Sequence, residues 1–157
     1  MEQVSAELPT PEDAMDFGRA LGRLLGPGDL VLLSGPLGAG KTTMTRGIAE
    51  GMGVSGRVSS PTFVLARVHS AGESGVPLVH VDAYRLGGDL DQLEDLDLDT
   101  ELDRAALVVE WGEGMAERLS EDYLVVRLDR RSDDVRVVIL EPHGAWVSRL
   151  AEARLAG

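Results

Sequence analysis

At 157 residues, 43% of them hydrophobic, the chain has the length of one domain with a sizeable core, and residues 1–157 read as a single unit. Its 27 acidic against 15 basic residues give a net charge of −12, which repels a phosphate backbone and excludes autonomous DNA or RNA binding. Zero cysteines and three histidines exclude a disulfide framework, a thiolate nucleophile and a cysteine-based zinc site, while the absence of a long apolar run and of a basic-then-apolar start points to a cytoplasmic protein without a membrane span.

Thr10 reads as the N-cap of a helix over 11–25, with Ala14, Phe17, Leu21, Leu24 and Leu25 near helical spacing and Glu12 and Asp13 in the first turn. Gly26-Pro27-Gly28 ends it. Leu30-Val31-Leu32-Leu33 is too short an apolar run for a helix and is expected to be a strand buried on both faces of a parallel sheet. A helix is predicted over 41–52, then strands over 63–68, 78–81, 106–109, 123–128 and 135–140. The Gly/Ser stretch 70–77 and residues 131–134 read as hairpin tips, which makes the sheet mixed. Helices are predicted over 91–98, 112–119 and 145–155, so strands and helices interleave in the α/β manner.

Eight of the 15 residues over 89–103 are acidic, and Asp95, Asp97 and Asp99 superficially match the start of a calcium loop. Thr100 and Ala106 stand where that loop needs a glycine and a bidentate glutamate, so the segment reads as a solvated face with Leu90, Leu93, Leu96 and Leu98 turned inward.

Chemistry concentrates in Gly35-Pro36-Leu37-Gly38-Ala39-Gly40-Lys41-Thr42, a G-x-x-x-x-G-K-[ST] phosphate loop set between a predicted buried strand and a predicted helix, as the motif requires. A random chain of this length would match it only about once in 200 times. The glycines let backbone N–H groups converge on phosphate oxygens, the helix N-terminus adds its dipole, Lys41 reaches the β- and γ-phosphates, and the Thr42 hydroxyl suits Mg²⁺. Lys41 is also the only lysine, in a chain whose other 14 basic residues are arginine, and it occupies the one place where a compact point charge suits phosphate better than a planar fork. That single lysine leaves none for the Asn-Lys-x-Asp segment of guanine readers, so ATP is favoured over GTP. The fold expected is α/β, a P-loop NTPase-like three-layer sandwich with a mixed central sheet and a C-terminal antiparallel hairpin.

Two carboxylates close predicted strands, Asp82 after Leu78-Val79-His80-Val81 and Glu110 after Ala106-Leu107-Val108-Val109. In a parallel α/β sheet the strand C-terminal ends line the ligand crevice, so each is a candidate for holding Mg²⁺, directly or through water, or for orienting an attacking water. His80 alternates with Asp82 and reads as a hydrogen-bonded structural residue. Trp111 suits either a shield over the site or the core.

The phosphate loop through Thr43, then Ser60-Pro61-Thr62-Phe63, His80-Val81-Asp82-Ala83-Tyr84-Arg85-Leu86 and Glu110-Trp111 occur in the order and spacing of the TsaE (YjeE) family of bacterial ATPases, and the resemblance runs over about residues 10–140. It implies a role in making the threonylcarbamoyl modification on adenosine 37 of tRNA, together with TsaB and TsaD. It implies that the amides of Gly35, Leu37, Gly38, Ala39, Gly40 and Thr43 and the Lys41 ammonium hold the ATP phosphates, that Thr42 and Glu110 hold Mg²⁺, and that Asp82 assists hydrolysis. By the same resemblance Thr62 lies near the γ-phosphate or the metal in a switch-like loop, and Thr10 lies near the nucleotide. Two features depart from the family: Pro36 stands where an acidic residue is usual, and Ala66-Arg67-Val68-His69 lacks the tyrosine often found after Ser-Pro-Thr-Phe.

An acidic ATPase serves tRNA modification only if something else holds the tRNA, so contact with tRNA is expected to be indirect, through the partner complex. Two other readings carry distinct signatures. A small-molecule kinase would release ADP faster with its acceptor; a nucleotide-gated assembly module would bind ATP and scarcely turn it over.

Overall fold

Short apolar runs and two amphipathic stretches decide the architecture. The computed structural model describes residues 4–35, 40–54, 66–69, 76–82, 105–110, 120–133 and 135–153. In chain order the elements are β1 (Val4–Leu8), α1 (Pro11–Gly22), β2 (Leu30–Ser34), α2 (Lys41–Met52), β3 (Ala66–His69), β4 (Leu78–Asp82), β5 (Ala106–Glu110), β6 (Tyr123–Arg130), β7 (Arg136–His143) and α3 (Trp146–Ala153). The helices expected over 91–98 and 112–119, and with them the acidic segment, lie outside the described residues.

The strands form one mixed sheet in the order β1-β7-β6-β2-β5-β4-β3. Its centre is parallel: β2 runs between β6 and β5, with Leu30 in register with both Tyr123 and Leu107, and β4 continues beside β5. Both margins are antiparallel, β3 against β4 on one side and β6, β7 and β1 on the other. The two hairpins expected from the sequence are therefore present, the second closed by the Arg131 N–H donating to the Val135 carbonyl.

All four apolar residues of β2 are fully buried, as are all four of β5, which is why these strands read as continuous apolar runs and not as alternations. Val31, Leu33, Ala106, Val108, Leu124 and Val126 join Phe17, Leu21, Met44, Ile48, Trp146 and Leu150 in one core, so α1, α2 and α3 cover this face of the sheet. Leu30, Leu32, Leu107 and Val109 alternate with them and are equally inaccessible, so the opposite face is covered too and the sheet is the middle of three layers.

Four differences from the sequence reading have physical causes. α1 ends at Gly22, not Leu25, because the amides of Leu24 and Leu25 donate to the carbonyls three residues back and tighten the chain into a turn. β1, absent from the sequence reading, alternates Val4, Ala6 and Leu8 with Ser5 and Glu7 over only five residues and pairs with β7, Val4 opposite Leu140 to Leu8 opposite Arg136. β6 and β7 each run to eight residues because they extend one another, from Tyr123 opposite His143 to Arg130 opposite Arg136. Of the strand expected over 63–68, residues 66–69 are described and form β3.

α1 and α2 meet through glycine. Gly18 and Gly22 on α1 face Gly47 and Gly51 on α2, and a Cβ on any of the four would stand 2.1–2.4 Å from a backbone oxygen of the other helix. Backbone thus packs on backbone, and Arg19 ties the rim of this seam by donating to Glu50 across it at 2.7 Å and to Asp16 and Glu12 within α1. The seam fixes α2, which carries the phosphate-loop lysine.

Candidate functional site

The parallel strands β2, β4, β5 and β6 deliver their C-terminal ends to one edge of the sheet, and α2 begins beside that edge. β2 ends at Ser34, and Gly35 follows with φ +148°, a conformation that favours glycine; a Cβ there would also lie 2.4 Å from the Leu128 carbonyl oxygen of β6. The chain therefore enters the phosphate loop beneath β6. It leaves the loop at Gly40, φ +99°, whose carbonyl accepts the first helical hydrogen bond of α2 from Met44 N–H.

The two long helices begin differently. α1 has a complete capping box: the Thr10 hydroxyl accepts from Asp13 N–H at 3.2 Å, and the Asp13 carboxylate accepts from Thr10 N–H at 2.9 Å and from the Thr10 hydroxyl at 2.8 Å. α2 has a glycine N-cap, no side-chain cap and no acidic residue in its first turn. Its N-cap therefore offers no side-chain acceptor of the kind that Thr10 gives α1, and a helix N-terminus of this kind suits an anion.

Lys41 is the first residue of α2 and is 93% buried, yet its ammonium reaches back to donate to the Gly35 carbonyl at 2.5 Å. That hydrogen bond ties the first residue of α2 back to the residue that follows β2. Thr42 and Thr43 follow, half-buried, and the fully buried Thr45 hydroxyl donates to the Lys41 carbonyl at 2.9 Å.

On the other side of β2, Glu110 ends β5 in register with Leu33, one residue before the end of β2, and in register with Asp82, which ends β4. The strand ends thus bring both sequence-predicted carboxylate residues to the edge where the phosphate loop begins. Glu110 is only 4% exposed, and its Oε2 lies 2.7 Å from Nε2 of the fully buried His80. His80 is the hydrogen-bonded histidine that the sequence suggested; its partner was not legible there, because it depends on how β4 and β5 align. Among the described residues no group of three or more His, Asp or Glu side chains converges on one point.

Of the other residues singled out from the sequence, Thr10 is placed at the α1 cap, while Pro36, Leu37, Gly38, Ala39, Thr62, Tyr84 and Trp111 lie outside the described residues. Leu128 is the contributor that sequence reasoning missed; its carbonyl shapes the entry to the loop through its backbone, which leaves no residue-type signal.

The family model for "Threonylcarbamoyl adenosine biosynthesis protein TsaE" matches residues 8–138, spanning every element of this site. The chain belongs to the TsaE family. A Streptomyces coelicolor protein named tRNA threonylcarbamoyladenosine biosynthesis protein TsaE is 61% identical over 146 residues, 90% of this chain and 99% of the relative. A Mycobacterium tuberculosis protein of the same name is 54% identical over 140 residues, 85% of this chain and 83% of the relative. In three dimensions the TsaE-family chain is similar to Bacillus subtilis YdiB, whose crystal structure superposes with a TM-score of 0.77 at 30% identity, covering 96% of this chain and 93% of that one. Among the described residues no helix is long and apolar enough to cross a membrane.

Proposed function

We propose that this TsaE-family chain is the Mg²⁺-dependent ATPase of the cytoplasmic machinery that makes N6-threonylcarbamoyladenosine at position 37 of tRNA, acting on a TsaB–TsaD complex and meeting tRNA only through it. The observation that carries the reading is the buried Lys41, held by its bond to the Gly35 carbonyl at the head of an uncapped helix, with Glu110 closing the strand next to β2.

ATP would sit with its phosphates against the amides of Gly35, Leu37, Gly38, Ala39, Gly40 and Thr43 and against the Lys41 ammonium. Lys41 exchanges the Gly35 carbonyl for phosphate oxygens or bridges both, since an ammonium has three donors. Thr42 and Glu110 are the residues to hold Mg²⁺, which when bound neutralises charge developing on the transferring phosphoryl group. Asp82, in register with Glu110, is placed in the reading as the residue that orients the attacking water, and Thr62 as a γ-phosphate or metal contact. With a net charge of −12 the chain brings no electrostatic affinity for tRNA of its own, so hydrolysis changes the state of a partner instead of supplying the chemistry of carbamoyl transfer.

The test is phosphate release from ATP and Mg²⁺ by the purified chain, alone and with TsaB–TsaD, with Lys41→Ala as control. A Lys41-dependent rate that rises with the partner is expected. If the partner changes neither turnover nor nucleotide affinity, the reading fails.

A further inference from the structure

Position 80 lies in the middle of β4, between Val79 and Val81, and is fully buried; an apolar β-branched residue would serve the strand there. Histidine instead places one ring nitrogen, Nε2, 2.7 Å from Glu110 Oε2 and leaves the other, Nδ1, buried with no partner among the described residues. An ionised carboxylate accepts only, so a contact this short requires the hydrogen on Nε2. Each group therefore fixes the other: the carboxylate selects the tautomer of the ring, and the ring, locked in a β-strand, selects the rotamer of the carboxylate. Oε2 is the oxygen that the ring engages, and Oε1 is the one it leaves.

We propose that His80 is a positioning residue for Glu110, donating Nε2–H to Oε2 so that Oε1 is held ready for the cation that accompanies the nucleotide. The inference rests on the Mg²⁺–nucleotide reading above and extends it to a residue that touches neither ligand. An acidic side chain at the end of a strand has free χ angles; a ligand oxygen has to be fixed to within a fraction of an ångström, and a buried donor rooted in the neighbouring strand supplies that constraint. The bare Nδ1 fits the same account, because the pair needs only one hydrogen from the ring.

The test uses Mn²⁺ as the probe. Electron paramagnetic resonance follows its uptake by the full chain with a non-hydrolysable ATP analogue, for the wild type, His80→Ala, His80→Gln and His80→Asn. Loss of the donor is expected to weaken Mn²⁺ binding by roughly tenfold or more, while binding of the analogue in EDTA changes less than twofold. His80→Gln, whose amide nitrogen reaches about as far as Nε2, is expected to recover more of the affinity than His80→Asn, whose amide nitrogen falls at the Nδ1 position. Nitrogen-15 spectra should show the Nε2–H tautomer in the wild type and lose that preference in Glu110→Ala. Equal Mn²⁺ affinity across all four proteins, or recovery by Asn as complete as by Gln, overturns the proposal while leaving the nucleotide reading standing. Should His80→Ala fail to fold, the Gln and Asn comparison decides alone. A wild-type complex that takes up no Mn²⁺ overturns both.

Discussion

Arg149 of the last helix and Asp29, the residue before β2, are joined by two hydrogen bonds of 2.5 and 2.9 Å from the two ends of the guanidinium. The same guanidinium donates to the Leu24 carbonyl at 2.9 Å and lies 3.9 Å above the Trp146 ring, while Asp29 also accepts from Gly26 N–H. One side chain thus staples α3 to the turn that launches the phosphate-loop strand. Arg149→Ala is expected to cost about 2 kcal/mol, between the values for exposed and buried pairs, because it leaves a largely buried carboxylate with its charge uncompensated. Arg149→Lys should recover less than half, since an ammonium cannot span both Asp29 oxygens, the carbonyl and the ring. Urea unfolding midpoints measure both.

The capping box at Thr10 predicts a loss of about 1 kcal/mol for Thr10→Ala and almost none for Thr10→Ser, which keeps the hydroxyl that Asp13 N–H and the Asp13 carboxylate both use. Thermal unfolding of the two variants side by side checks this; equal losses would show that the methyl, not the hydroxyl, matters.

A methyl group on Gly51 would lie 2.1 Å from the Arg19 carbonyl oxygen. Gly51→Ala gains about 1 kcal/mol of helix propensity but forces two backbones apart, and overpacking costs about 1–3 kcal/mol or more where no side chain can yield. A net loss is expected, visible as a lower urea midpoint. A glycine-to-alanine change that stabilised the protein would mean that the helices do not meet this closely.

Lys41→Met keeps the buried stem and removes the charge. Lys41-dependent phosphate release should vanish while the fold persists, with the thermal midpoint moving by only a few degrees, as expected for loss of the Gly35 hydrogen bond. Nucleotide-binding titrations with circular dichroism separate the two effects.

Asp133, at the tip between β6 and β7, titrates below its ordinary value of 3.8, first because Arg131 donates to it and then because Val135 N–H does. A folded pKa below the unfolded one means a contribution fully present above the unfolded pKa and lost as pH falls through the folded one. The tip should therefore loosen only under acid conditions below about pH 4. In Arg131→Ala the Asp133 carboxyl carbon, followed by NMR, should titrate at a higher pH than in the wild type.

The elements set by their own residues were legible in the sequence. β2 follows from an apolar run and the start of α2 from the glycine and lysine that close the phosphate-loop motif, and Lys41 stood out as the sole lysine. What escaped was set by distant chain. Val4-Ser5-Ala6-Glu7-Leu8 alternates apolar and polar residues, but five residues are too few to decide alone, and the edge of β7 makes them a strand. The strand expected over 135–140 runs on through Glu141-Pro142-His143, which stay in register with β6, and Pro142 is tolerated on the side of β1 because it lies past the last β1 pair. The contact of His80 with Glu110 depends on the alignment of two strands 30 residues apart in sequence, which no local pattern encodes.

The glycine seam has a mechanical meaning. Helices that touch through side chains slide by repacking rotamers, whereas α1 and α2 touch through main chain, so a shift of one against the other has no soft coordinate along which to proceed. The two helices are a single lever with Lys41 at its working end. Any displacement of the first turn of α2 would therefore carry α1 with it as one piece against the sheet.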